Sequence, residues 1–405
     1  MNRRIFLAVL GVTILITAGF ATFSQSAFVS QRHLRFDFYP HWLGGRTVWA
    51  GETPYTLETT QQIQRDMFGE LLRADEDQQN FAYPAYTSIL IAPVIALPAP
   101  TAIALWMALQ LTAIMWIPII WLAILGWKPS PITLCLLVIG FLFVFHYPLD
   151  TFALGQFSGT VLLGISLGVW FLMQRNDIAA GAAFVIATVP PTIGGPIVLA
   201  IMGAFALRGR WRALATFIMI MALVTGFSIL RIGWWIPQWI NIVRQYADYA
   251  PPVWVPSFLP SPIALILVGV LMAYLGWSFY RFWKQFNQTE QVNFVVAVLL
   301  VGLLLLPQTG YYYLVLLIPV IVVTLAYARE LPSPLKWRVR LSCILAVISP
   351  WFYFSIPGHN PDIQGLILPL HVGLTWVITL GLSGRLKQSA WSSTVSSPSI
   401  QQPTR

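Results

Sequence analysis

Charge is scarce in this chain: of its 405 residues only 9% are charged, against roughly 25% in an ordinary soluble domain. A water-soluble surface cannot be assembled from so little. Cysteine is nearly absent. Cys135 and Cys343 both fall inside apolar runs with no metal-ligand spacing, so they read as core or lipid-facing residues and carry no information on redox compartment. The five histidines are scattered, which argues against a metal site. There is no G-x-x-x-x-G-K-[ST], no G-x-G-x-x-G, no H-E-x-x-H and no pair of cysteine doublets, so the soluble nucleotide-binding and zinc chemistries are excluded on motif. "GISLG" at 164–168 has the letters of a serine hydrolase elbow, but it lies in an apolar run without the strand-turn-helix context.

What the chain has is apolar length: 57% of its residues are hydrophobic. Beyond an N-terminal run from Ile5 to Phe23, further runs occupy 85–98, 101–126, 131–147, 158–173, 178–188, 192–207, 213–230, 261–280, 292–306, 311–328, 341–356 and 364–383. A run near 20 residues spans a bilayer as a helix, because only a helix satisfies its own backbone in lipid. The fold class is therefore an all-α polytopic membrane protein, with about eleven to thirteen transmembrane helices. The net charge of +9 does not point to nucleic acid. Its basic residues stand at run ends, as in Arg208/Arg210/Arg212 and Arg329/Lys336/Arg338/Arg340, the positive-inside pattern of a protein whose partner is membrane lipid.

The N-terminal run reads as an anchor rather than a cleaved signal, since so much apolar chain follows it. A cytoplasmic N-terminus puts residues 24–84 outside as a first extracytoplasmic loop, which holds eight of the fourteen acidic residues. Counting forward from Arg3-Arg4 then places Lys128 outside, while counting back from the C-terminal basic clusters places it inside. One segment must break the alternation, and the short, Pro-interrupted run 85–98 is the candidate for a broken or re-entrant one. Residues 231–260 form a second long outer connection, read as an interfacial amphipathic helix and a Pro-rich loop, with Trp234, Trp235, Trp239 and Trp254 as interface anchors or, less often, sugar-stacking groups. Residues 1–387 make one integral membrane domain, and the Ser-, Gln- and Pro-rich tail 388–405 is expected to be disordered.

Ionisable groups at the lip of a membrane are costly unless paired or used. On the outer side these are Asp37, His41, Arg46, His146, Asp150, Arg231, Arg244, Asp248, His359 and Asp362. If a helix follows Asp37, it shares a face with His41 one turn on, and Gly44-Gly45 leaves room for another backbone or a ligand. The carboxylate is then either a general base for a hydroxyl or the N-cap of that helix, with Pro40 in its first turn. Gln156 either bonds a sugar hydroxyl or caps the neighbouring helix.

The order of four blocks resembles glycosyltransferase family 87, polyprenol-phosphate-dependent membrane enzymes of the C-type superfamily. Asp37-Phe38-Tyr39 with "GGRTVWAGETPY" (44–55) is similar to the family's opening segment, "FAYPAYTSILIAPVIALP" (81–98) to its F-x-Y-P-P block, "LGQFSGTVLLGISL" (154–167) to its G-Q-x-N helix start, and "LLPQTGYYYLVLLIPV" (305–320) to its late Pro-led block. The resemblance implies a C-type fold with its active site on the extracytoplasmic face of the plasma membrane. It also implies transfer of a sugar, commonly mannose, from polyprenyl phosphate to a hydroxyl of a glycolipid or cell-envelope glycan, with inversion. Asp37 would be the base, and the lipid phosphate a leaving group good enough to need no second acid. Three positions depart from the pattern: Val189 stands where the family has lysine, Ser158 or Gly159 where it has asparagine, and Gln308-Thr309-Gly310 in place of a polar-aromatic turn. With that lysine missing, Arg231 or Arg244 is the candidate phosphate partner, each being otherwise a headgroup anchor, so the candidate substrate-contact set is His41, Gln156, Arg231 and Arg244. No cofactor beyond the lipid-linked sugar is required; metal dependence and oligomeric state stay open. A lipid-linked glycan transporter and a non-catalytic protein of the same fold are the alternatives.

Overall fold

The computed structural model of the chain describes residues 3–32, 34–249, 259–307, 310–358 and 363–395, and among them there is no strand. α1 (Arg3–Ser24) continues through a π-helical turn, Gln25–Val29, to Arg32. α2 (Phe38–Ala50) and α3 (Leu57–Phe68) fold from the first loop. Next come α4 (Ala99–Ile124), α5 (Pro131–Ile139) with a π-helical extension Gly140–Val144, α6 (His146–Leu154), α7 (Ser158–Met173) and α8 (Asp177–Ile186). α9 (Gly194–Phe205), α10 (Trp211–Ile232), α11 (Ile236–Tyr249), α12 (Ser261–Gln285) and α13 (Gln288–Leu305) follow. A 3-10 turn, Tyr311–Leu316, leads into α14 (Leu317–Ala328), and α15 (Ser333–Phe354) and α16 (Gln364–Val395) complete the bundle.

Burial separates the helices by role. The apolar windows of α4, α13 and the α14 span are 72%, 72% and 78% buried, those of α1 and α12 only 6% and 11%. The first three form the protein core; the last two lie on the outside of the bundle. Packing in the core is tied by hydrogen bonds that a dry interior requires: Trp121 Nε1 donates to Ser166 Oγ at 2.9 Å, joining α4 to α7.

The expected number of crossings is corrected by the structure. Among the described residues seven helices are long and apolar enough to span, or eight if the bent pair Pro131–Val144 and His146–Leu154 is one. The remaining runs do form helices, but α7 and α8 have only 16 and 10 residues. Runs 192–207 and 213–230 lie on one 39-residue stretch, kinked at Arg208 and Gly209. An apolar run in sequence does not report where its helix breaks. Block 81–98 is indeed broken, into turns Thr87–Leu90 and Ala92–Ile95. At the other end of the chain, α16 runs to Val395, into the tail expected to lack structure; residues 396–405 lie outside the described ones.

The bundle has one basic end. α4 begins beside Phe38, which stacks on Trp106 at 4.8 Å, and finishes at Ile124, whose carbonyl accepts from the Gln288 side chain. At that finish Arg329 lies over Trp127, Arg208 over Trp283 and Phe286, and Arg210 pairs with Asp177. Lys128 follows Trp127 directly, so the structure groups it with the other cations. From Trp106 to Ile124 α4 rises roughly 27 Å, close to the ~30 Å hydrocarbon layer. Asp37 is therefore at the opposite side of the membrane layer from the basic end.

Candidate active site

Asp37 occupies the N-cap position of α2 but does not cap it. Its backbone is helical (φ −62°, ψ −17°) and its side chain accepts nothing from the first turn, whereas a capping aspartate has extended dihedrals and bonds back onto the helix N–H groups. Its own N–H donates to Leu154 O at 2.9 Å. Its Oδ2 accepts a hydrogen bond from Gln156 Nε2.

That contact joins residues 119 positions apart, and local chemistry explains it. α6 ends at Gly155, whose φ of +74° is left-handed, a conformation that only glycine adopts freely. A Cβ there would also stand 3.2 Å from that of Phe38. Trp106 Nε1 donates to Gly155 O at 2.9 Å, which holds the turn and delivers Gln156 to Asp37. Gln110, fully buried, then clamps the start of α7: its Oε1 accepts from Thr160 N at 3.0 Å and its Nε2 donates to Thr160 Oγ1 at 2.7 Å, satisfying an otherwise orphaned helix donor. A Cβ at Gly159 would stand 2.9 Å from Gln110 Oε1, so the clamp leaves little room for a side chain at that position. On α2, Gly44 and Gly45 leave room for Phe81 and Ile95: the approach they permit is made by block 81–98.

Asp37, His41 and Gln156 line one cavity of about 140 Å³ with Asp77, Asn80, Tyr83, Thr192, Trp239, Tyr246 and Tyr313, close to the about 150 Å³ that accommodates a six-membered ring. Among the described residues three buried polar atoms on its walls have no hydrogen-bond partner: His41 Nδ1, Asn80 Oδ1 and Gln156 Oε1. Buried polar atoms are ordinarily satisfied, and sugar hydroxyls both donate and accept. Burial raises the Asp37 carboxyl from its ordinary 3.8 to about 6; the Gln156 hydrogen bond opposes this and nearby Asp77 adds to it. Burial also pushes His41 down to about 3, so it is a neutral imidazole at physiological pH, flanked edge-on by Tyr83 at 4.1 Å and Phe157 at 4.9 Å. Among the described residues no group of three or more His, Cys, Asp or Glu is placed to hold a metal ion.

The model of glycosyltransferase family 87 matches residues 81–350, more than half of the chain. The chain belongs to glycosyltransferase family 87. It is a membrane glycosyltransferase by family, built as a multi-pass bundle. No curated protein and no solved structure matches it. In this family 87 chain Gln156 lies inside the matched segment, while Asp37 and His41 precede it.

The structure does not bring the two expected phosphate partners to the cavity. Arg231 donates to the Trp49 carbonyl and Arg244 is exposed on α11; neither lines the cavity, and among the described residues no lysine or arginine does. The face of α11 that does is Trp239, Val243 and Tyr246, spaced i, i+4, i+7. Arg231→Gln and Arg244→Gln are expected to change transfer less than about threefold, measured as kcat/KM with a lipid-linked donor. Of the expected interface anchors, Trp235 is buried with its indole on Ser228 Oγ at 2.9 Å, Trp239 donates to Ala82 O at 3.0 Å, and Trp234 is exposed; Trp254 lies outside the described residues. Among the other outer-side groups, His146 and Asp150 pair with each other at 2.6 Å and Arg46 stacks on Trp42, none of them in the cavity lining; His359 and Asp362 are outside the described residues. Sequence reasoning missed Asn80, Tyr83 and Thr192. Tyr83 lies inside block 81–98 and Asn80 immediately precedes it, while nothing in the sequence singled out Thr192.

Proposed function

We propose that this family 87 chain transfers a sugar, most often mannose, from a polyprenyl phosphate to a hydroxyl of a glycolipid or envelope glycan, on the extracytoplasmic face and with inversion. Asp37 is the base that takes the acceptor proton as the lipid phosphate leaves. The observation that carries this reading is the Asp37 carboxylate itself, released from helix capping and held by Gln156 in a cavity whose three unpartnered polar atoms suit a saccharide. Its position opposite the basic end of the bundle supports the sidedness through the positive-inside rule. The test is incubation of the purified protein with radiolabelled polyprenyl-phosphate mannose and an envelope lipid extract, followed by identification of the labelled product and its anomeric configuration. A product with inverted configuration is expected; label that stays on the donor removes the reading.

The pH dependence gives a second test. A base works only when ionised, so kcat/KM should rise with pH through an acidic limb near 6 rather than near 4, since this ratio reports the free enzyme. Gln156→Leu removes a hydrogen bond that favours the carboxylate, and should move the limb upward and lower the plateau by about 10- to 100-fold. One observation favours a rival: the cavity lining contains no lysine or arginine for a phosphate. Tight polyprenyl-phosphate binding without turnover would favour a lipid-binding protein of the same fold.

A further inference from the structure

A second cavity lies between α5 with its π-helical extension, α14 and α15. It is a groove of about 450 Å³ with walls of Leu137, Phe141, Leu325, Ile344 and Val347, and no acidic side chain lines it. At one end stand Trp127, Trp337 and Arg340. The Arg340 guanidinium lies over the Trp337 ring at 5.1 Å, and Arg329 covers Trp127 at 4.9 Å, so this mouth belongs to the basic end of the bundle. At the other end the π-helical extension stops at Phe145, and Trp351 Nε1 donates to Val144 O at 2.5 Å, which ties α15 to the extension there. Between Trp337 and Ile348, both in the lining, α15 rises roughly 16 Å. That is about half of the ~30 Å hydrocarbon layer, the depth of one leaflet.

We propose that this groove holds one acyl chain of an anionic phospholipid, with the lipid phosphate at Arg340 and the Trp127–Trp337 pair at headgroup depth. Slot and mouth make complementary demands. An apolar groove one leaflet deep takes a fatty chain laid along it from the mouth. The mouth presents a stacked guanidinium, with Lys128, Lys336 and Arg338 adjacent in sequence, and basic pockets between transmembrane helices recognise anionic headgroups. A zwitterionic headgroup adds a cation to that field and gains less. This site is independent of Asp37 and of the reaction assigned to it.

The test uses the full-length protein in neutral detergent, stripped of lipid and titrated by native mass spectrometry with phosphatidylglycerol and phosphatidylcholine of the same acyl chains, and with a polyprenyl phosphate. Phosphatidylglycerol should bind at least about fivefold tighter than phosphatidylcholine. Arg340→Gln should remove that preference. Gly140 lines the groove and a Cβ there meets no atom within 4 Å, so Gly140→Phe fills the channel and should weaken both phospholipids. If that variant unfolds, as a thermal melt would show, Arg340→Gln decides alone. Equal binding of the two phospholipids, a preference that survives Arg340→Gln, or displacement of phosphatidylglycerol by the polyprenyl phosphate would each overturn the assignment.

Discussion

Asp37→Asn is expected to lower sugar transfer by about 10²- to 10⁴-fold, the range over which a positioned general base contributes, while the chain still folds and inserts. Asparagine keeps the shape, and its Oδ1 can still accept from Gln156 Nε2, so what disappears is basicity. Stability separates this from a structural role. The folded-state pKa of about 6 lies above the ordinary 3.8, so the folded protein holds this proton more tightly than the unfolded chain does. The carboxyl is therefore neutral and harmless below about pH 4, and as pH rises from there through about 6 the fold loses on the order of 3 kcal/mol. Asp37→Asn removes that cost. Its thermal midpoint should equal the wild-type value at pH 4 and match or exceed it at pH 7.5. A midpoint several degrees lower at pH 7.5 would mean that Asp37 serves the fold.

Gly194→Ala is expected to damage the cavity from behind. A Cβ at Gly194 would collide with the Ala187 carbonyl oxygen and stand 2.9 Å from its carbon, and backbone cannot rotate away as a side-chain tip can. The connection between α8 and α9 must shift, and it supplies Pro190, Pro191 and Thr192 to the cavity wall. Overpacking of this kind costs about 1–3 kcal/mol, and the displaced wall should raise KM for the donor more than it lowers kcat. Gly195→Ala is the control. No atom lies within 4 Å of a Cβ there, and alanine is the better helix former, so stability should hold or rise slightly. Melting midpoints and initial rates of the two variants, measured together, check this; equal loss in both would show that the region tolerates no substitution for reasons other than the clash.

The bundle was legible because hydrophobic length is a one-dimensional property. Every apolar run is helical, and the weakness of 85–98 showed in its prolines. The crossing count was not legible, because kinks such as Arg208–Gly209 and the shortness of α8 depend on packing. Block order singled out Asp37 and Gln156 separately, and the reason they meet, a left-handed Gly155 held by Trp106, is a three-dimensional closure no spacing rule contains. The placement of the arginines was not legible either: the amphipathic turn of α11 sends Tyr246 inward and Arg244 out. Asn80 sits in irregular chain with no periodicity to mark its orientation.

The most direct test of the central claim is an experimental structure of Asp37→Asn protein with a polyprenyl-phosphate sugar bound. The sugar is expected between residue 37, Asn80 and Gln156, its hydroxyls on the three unpartnered polar atoms, with an acceptor hydroxyl within hydrogen-bond reach of residue 37. A donor seated elsewhere, with residue 37 out of reach of the anomeric carbon and of any acceptor, would contradict it.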